Sequence, residues 1–85
     1  MNIEYSKQAV KYLSRLENKS KKRLREAFKK LSFVPLQGDI KQLQKHENLY
    51  RLRVGDFRIL FSIYFDKNII LINEIDTRGE IYKHL

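Results

Sequence analysis

From Leu49 onward apolar residues recur at every second position, and this alternation, cut twice by turn-forming residues, admits little besides a run of antiparallel strands. Leu49 to Val54, Phe57 to Phe65 and Ile69 to Asp76 are rich in Tyr, Phe, Ile, Leu and Val, and Gly55-Asp56 and Asp66-Lys67-Asn68 separate them. A two-residue loop at Gly55-Asp56 sets Val54 opposite Phe57, Leu52 opposite Ile59 and Tyr50 opposite Phe61, all on the face to be buried. The other face then receives Arg53 opposite Arg58 and Arg51 opposite Leu60, so the register that buries the apolar residues also gathers three guanidiniums. For the second hairpin a three-residue loop is preferred, because it pairs Phe65 with Ile69, Ile63 with Leu71 and Ile59 with Ile75. It also sets Arg58 opposite Asp76 on the second face, where Arg78 continues the parity. Leu60, Tyr64, Ile70 and Ile72 fall on that face too, which makes it half basic, half apolar and suited to binding.

The first third of the chain follows a different period. Ala9, Tyr12, Leu13 and Leu16 recur at i, i+3, i+4 and i+7, as do Leu24, Ala27, Phe28 and Leu31, which predicts two amphipathic helices with basic outer faces. Ser6 can cap the first, a break is expected around Asn18 to Ser20, and Pro35 with Gly38-Asp39 ends the second. Asn2 to Tyr5 reads as a short strand, and the loop-like stretch from Gly38 to Glu47 can hold another around Ile40 to Leu43. The expected architecture is α+β: a small antiparallel sheet of about four strands, elements in the order β-α-α-β-β-β, with an N-terminal helical hairpin on one face. Residues 1–85 are expected to form a single domain.

Charge is unevenly placed. The chain carries 18 Lys and Arg against 10 Asp and Glu, and residues 1–30 hold ten of the cations with three of the acids. Such an excess points to a polyanionic partner, nucleic acid or an acidic protein. The run Lys19 to Arg25 can neutralise several phosphates, or it can simply be the solvated face of a helix. With no cysteine, disulfides, thiolate nucleophiles and Cys-based zinc sites are excluded. HExxH, Walker and dinucleotide-binding glycine patterns are missing, and His46 and His84 read as solvated residues rather than ligands, so neither metal nor cofactor is expected. The start lacks the apolar core of a signal peptide and no stretch is apolar enough to span a bilayer, so a cytoplasmic protein without a membrane partner is expected.

The segment LYRLRVGDFRILFSI, followed one strand later by INEIDTRGEIYK, resembles the RelE/ParE superfamily of bacterial toxins, as do the helical hairpin, the Gly-Asp turn and the strand order. The resemblance spans essentially the whole chain. It implies a toxin of a toxin–antitoxin module, with two branches: RelE-like members are ribosome-dependent messenger-RNA endonucleases, and ParE-like members poison DNA gyrase without nuclease residues. Carried over residue by residue, it makes Arg58 a phosphate-stabilising arginine, Arg51 and Arg53 the basic pair of the preceding strand, Arg78 the arginine near the last strand's end, and Tyr82 the C-terminal catalytic tyrosine. The best-known RelE members carry lysines where this chain has Arg51 and Arg53.

Because all five positions are filled, the resemblance favours the RelE branch. The chemistry would be attack of a ribose 2′-hydroxyl on the adjacent phosphodiester without a metal. Arginine suits the charged phosphorane because its planar fork never deprotonates, and for that reason it is a poor base. Tyr82 is the expected proton carrier, since surrounding guanidiniums favour a phenolate. Lys19, Lys21, Lys22, Arg23, Arg25 and Lys29 would bind ribosomal RNA, and a co-expressed acidic antitoxin would cover Leu49, Leu60, Ile70 and Ile72 while pairing with the arginines. The alternatives are a ParE-like gyrase inhibitor, a member that only binds, and an unrelated basic RNA-binding domain.

Overall fold

The computed structural model describes residues 1–32, 38–43 and 48–77. In chain order the elements are β1 (Asn2–Tyr5), α1 (Lys7–Arg15), α2 (Asn18–Leu31), β2 (Asp39–Gln42), β3 (Leu49–Val54), β4 (Phe57–Tyr64) and β5 (Ile69–Asp76). They build one five-stranded sheet in the order β1-β5-β4-β3-β2, with the helical hairpin on one face. The class is the one expected, with two differences: there are five strands rather than about four, and β1 runs parallel to β5. The helices explain both. They carry the chain from one edge of the sheet to the other, so β2 can join β3 at the far edge while β1 remains on the outside of β5.

The first hairpin has the expected register. Val54 faces Phe57, Leu52 faces Ile59, Tyr50 faces Phe61 and Arg53 faces Arg58. Gly55, at φ +58°, supplies the left-handed residue that a tight two-residue turn needs. The second hairpin departs from expectation. Tyr64 pairs with Ile69 across a four-residue connection, Phe65–Asn68, in which Asn68 takes φ 57° as asparagine tolerates.

That choice displaces β5 by one residue relative to the expected pairing, and a β-bulge restores it. Phe61 faces Ile72 whereas Leu60 faces Glu74, leaving Asn73 as the extra residue. Ile70, Ile72 and Ile75 cannot share a face of a regular strand, because the last interval is odd. The bulge absorbs that residue and puts all three in the core at 0% exposure. The expected placement of Ile70 and Ile72 on the outer face is therefore wrong, and Ile63 pairs with Ile70 rather than Leu71. Phe65, expected opposite Ile69, sits in the turn and is 70% exposed. Beyond the bulge, Ile59 opposite Ile75 and Arg58 opposite Asp76 are as expected.

Ala9, Leu24, Phe28 and Leu31 of the helices meet Leu52, Ile59, Phe61, Ile63 and the three β5 isoleucines in one buried cluster. The break between helices lies at Leu16 and Glu17, both extended, just before the expected Asn18 to Ser20. Pro35 lies outside the described residues. Ser6 caps α1 as expected, accepting from the Ala9 amide at 3.1 Å, and its hydroxyl also donates to the bulge carbonyl of Asn73 at 2.6 Å. Two residues on, the Gln8 side chain acts as a stand-in strand: Nε2 donates to Ile75 O (2.9 Å) and Oε1 accepts from Ile75 N (3.0 Å). β1 ends opposite Ile72, so these side chains satisfy the β5 edge where no strand continues. Among the described residues, no helix is long and apolar enough to cross a membrane.

Gln8→Ala should lower stability by about 1–3 kcal/mol in urea unfolding, because it leaves both Ile75 backbone groups without their partner. Hydrogen exchange at the Ile75 amide should quicken more than at the Ile59 amide.

Candidate functional site

The outer face of the sheet carries two rows of side chains that run across four strands. The register aligns Asp39, Arg53, Arg58 and Asp76 in one row, and Lys41, Arg51, Leu60 and Glu74 in the next. In the first row acids stand at both ends with two guanidiniums between them; in the second, Lys41 and Glu74 stand at the ends with Arg51 and Leu60 between them. Asp39 does not pair with Arg53, its register partner, but reaches diagonally to Arg51, whose Nη1 lies 3.3 Å from Oδ1. Asp76 accepts the backbone N–H of Thr77 at 2.7 Å. Among the described residues, Arg53 and Arg58 take part in no ion pair.

This arrangement has a cost. Directly opposed like charges in an antiparallel pair destabilise by a few tenths to about 1 kcal/mol, and the register that fills the core imposes one here. An anion bound between the two guanidiniums would reverse the sign of that term. Space for one exists: Arg53, Gly55, Asp56, Arg58 and Thr77 line a cleft of about 450 Å³. A second hollow of about 350 Å³, lined by Lys41, Leu43, Arg51, Arg53 and Arg58, adjoins it. Arg51 is mostly buried, its side chain 15% exposed, so Asp39 and the sheet hold it while Arg53 stays exposed and open to a ligand.

The structure thus brings Arg51, Arg53 and Arg58 together as the register predicted. Arg78, Tyr82 and His84 lie outside the described residues, as does His46. The mixed apolar and basic outer face is not found in its expected form, since Ile70 and Ile72 belong to the core and Leu60 is 3% exposed between Arg51 and Glu74. Sequence reasoning missed Lys41 and Asp39 as members of the rows. Their alternation with Ile40, two residues apart in a short strand, was the available signal. Among the described residues, no group of three or more His, Asp or Glu side chains could hold a metal ion.

The basic helical set does not form one stripe. Lys21 and Arg25, one turn apart, line a hollow of about 280 Å³ with Tyr5, Val10, Leu13 and Phe28 on the helix side of the molecule. Arg23 points instead to the β3–β4 turn, and Lys19, Lys22 and Lys29 are exposed. Burial raises the Tyr5 phenol pKa above its ordinary value of 10.0, and the Arg25 guanidinium draws it partly back.

A family model describing the ParE toxin of the type II toxin–antitoxin system parDE matches residues 3–82. The chain belongs to this toxin family. Within the wider RelE/ParE superfamily, its relatives include the RelE1 protein of Methanocaldococcus jannaschii, 33% identical over 86 residues that cover 98% of this chain and 96% of that protein. Among solved structures, the archaeal RelE–RelB complex from Pyrococcus horikoshii OT3 is similar at a TM-score of 0.80 and 29% identity, covering 92% of this chain and 94% of that one. The RelB–RelE antitoxin–toxin complex from Methanococcus jannaschii is similar at a TM-score of 0.76 and 25% identity, over 96% of this chain and 98% of that one. The matched residues include β3 and β4, which carry the three arginines of the rows.

Two outcomes follow for the site. Arg53→Thr should leave stability unchanged or raise it by up to about 1 kcal/mol in thermal unfolding, because it removes the opposed charge, while weakening binding of a phosphate-bearing oligonucleotide. On the helix side, the neutral Tyr5 phenol is favoured by the folded state. Its contribution is complete below the unfolded value near pH 10 and is lost as pH rises through the higher folded value, and Tyr5→Phe should flatten that alkaline decline.

Proposed function

We propose that this toxin is a ribosome-dependent messenger-RNA endoribonuclease that cleaves by 2′-hydroxyl attack without a metal. The observation that carries the proposal is the opposed pair Arg53 and Arg58, without a carboxylate partner among the described residues and bordering a cleft at the end of β5. A pair of opposed guanidiniums bordering an open cleft is what such chemistry requires.

The steps assign each side chain one task. Tyr82, in the segment that follows β5, accepts the proton from O2′. The O2′–P bond forms, and Arg58 with Arg53 and Arg78 holds the added negative charge on the non-bridging oxygens. The P–O5′ bond then breaks and the proton passes to the leaving 5′ oxygen, giving a 2′,3′-cyclic phosphate and a free 5′-hydroxyl. Arg51, tethered to Asp39, lines the adjoining hollow and guides the strand's approach. Lys19, Lys21, Lys22, Arg23, Arg25 and Lys29 contact ribosomal RNA backbone through salt-sensitive bonds, so substrate choice comes from the ribosome.

The solved relatives from Pyrococcus and Methanococcus are toxin–antitoxin complexes, which supports a cognate antitoxin for this chain as well. An acidic segment that pairs with Arg53 and Arg58 would both quench the repulsion and block the cleft. A second reading is favoured by the family model itself, whose description is of ParE: a gyrase poison that uses the same basic face for binding alone.

One comparison separates them. With translating ribosomes and a defined transcript, wild-type protein should give cuts inside the reading frame, and Tyr82→Phe or Arg58→Ala should slow them by about 100-fold or more with unfolding curves unchanged. Intact transcripts together with inhibited gyrase supercoiling would establish the second reading instead.

A further inference from the structure

The cleft between Arg53 and Arg58 has a neighbour on the other side of the β3–β4 turn. Arg23, Glu26, Ala27 and Lys30 of α2, with Gly38, Leu52, Arg53 and Val54, enclose about 290 Å³. Arg23, Ala27 and Lys30 follow one helical face at i, i+4 and i+7, so both cations overlook the same hollow. Three cations border it against one carboxylate, Glu26, and its floor is apolar. Arg53 belongs to this hollow and to both hollows of the outer face, so the three are continuous around the turn.

Arg23 is an exposed side chain that reaches the β3–β4 turn. Its guanidinium sits on Gly55, at a spot where an added Cβ would lie 2.7 Å from both Nη atoms and 2.8 Å from Cζ. Gly55 therefore has two reasons to be glycine: its φ of +58° and the room its missing side chain leaves for Arg23.

We infer that Arg23, Lys30 and Arg53 form a second phosphate subsite, which takes a backbone phosphate of the same nucleic-acid strand next to the one held by Arg53 and Arg58. The inference rests on the reading of the arginine face as a nucleic-acid site, and it separates Arg23 from the ribosome-facing set. The partly exposed apolar side chains of Val54 and Ala27 offer the flanking nucleoside a surface without asking for a particular base. The turn that positions the reacting phosphate would thus also anchor the strand beyond it.

The test uses an RNA oligonucleotide with 2′-O-methyl groups throughout, which binds but cannot be cut, and follows its affinity by fluorescence anisotropy over a range of salt concentrations. Each phosphate contact on a single strand contributes about 0.7 to the slope of log affinity against log salt. Arg23→Ala and Lys30→Ala should each reduce the slope by about that amount and weaken binding about three- to tenfold at 0.1 M salt. Gly55→Asn tolerates the left-handed backbone but places a Cβ against the guanidinium, so it should reproduce Arg23→Ala and add nothing in the Arg23→Ala background. An unchanged slope in either alanine variant, whatever its thermal stability, would overturn the subsite and leave Arg23 as a packing residue of the turn. An unchanged slope in Gly55→Asn would overturn the seating. Wild-type protein that binds this RNA with the expected slopes yet never cuts transcripts on ribosomes would remove the nuclease reading and leave the subsite standing.

Discussion

The two-residue turn at Gly55-Asp56 governs both faces of the sheet. Once it pairs Val54 with Phe57, alternation leaves no freedom: Leu52, Ile59 and Phe61 go inward together, and Arg53 meets Arg58 on the outside. The burial of those apolar side chains contributes on the order of 1.5–3 kcal/mol each, well above the few tenths to about 1 kcal/mol that the opposed guanidiniums cost. Core formation therefore holds a repulsive pair in place on the outer face. The Arg23 guanidinium of α2 lies beside the same turn, at Gly55.

The far end of the sheet solves a different problem. β5 must bury Ile70, Ile72 and Ile75, and the odd interval forces an extra residue into the strand. At that irregularity the neighbouring strand β1 stops, which would leave backbone groups of a central-length strand facing a helix. Ser6 and Gln8 occupy the gap, and Asn73, the bulged residue, donates from its side chain to the Ser62 hydroxyl on the adjacent strand at 2.7 Å. Polar residues at the start of α1 are thus part of the sheet's hydrogen bonding as much as of the helix cap.

The distribution of acids decides what the arginine rows can do. Asp39 could have neutralised Arg53, its neighbour in register, and instead holds Arg51 on the diagonal. One guanidinium is held by a carboxylate, and the other two have no carboxylate partner among the described residues. For a member of a toxin family this is a consequential division, because the same two positive groups that would steady a phosphate are the ones an acidic partner would need to cover.

Much of this was written in the chain itself. The change of period at Leu49, the Gly-Asp turn, the two amphipathic stretches and the Ser6 cap depend on residues near one another in sequence, and local geometry suffices to place them. The gathering of Arg51, Arg53 and Arg58 was legible for the same reason, since one turn sets one hairpin. The bulge was less so: the Ile70, Ile72, Ile75 spacing encoded it, but a regular three-residue loop also sets apolar residues opposite one another, Phe65 with Ile69 and Ile59 with Ile75. Only the assembled structure decided which edge β1 would occupy, which arginine Asp39 would hold and where the Arg23 side chain would come to rest. Those outcomes depend on contacts between residues far apart in the chain, where the packing of the helices on the sheet, rather than any local pattern, selects among neighbours of equal chemistry.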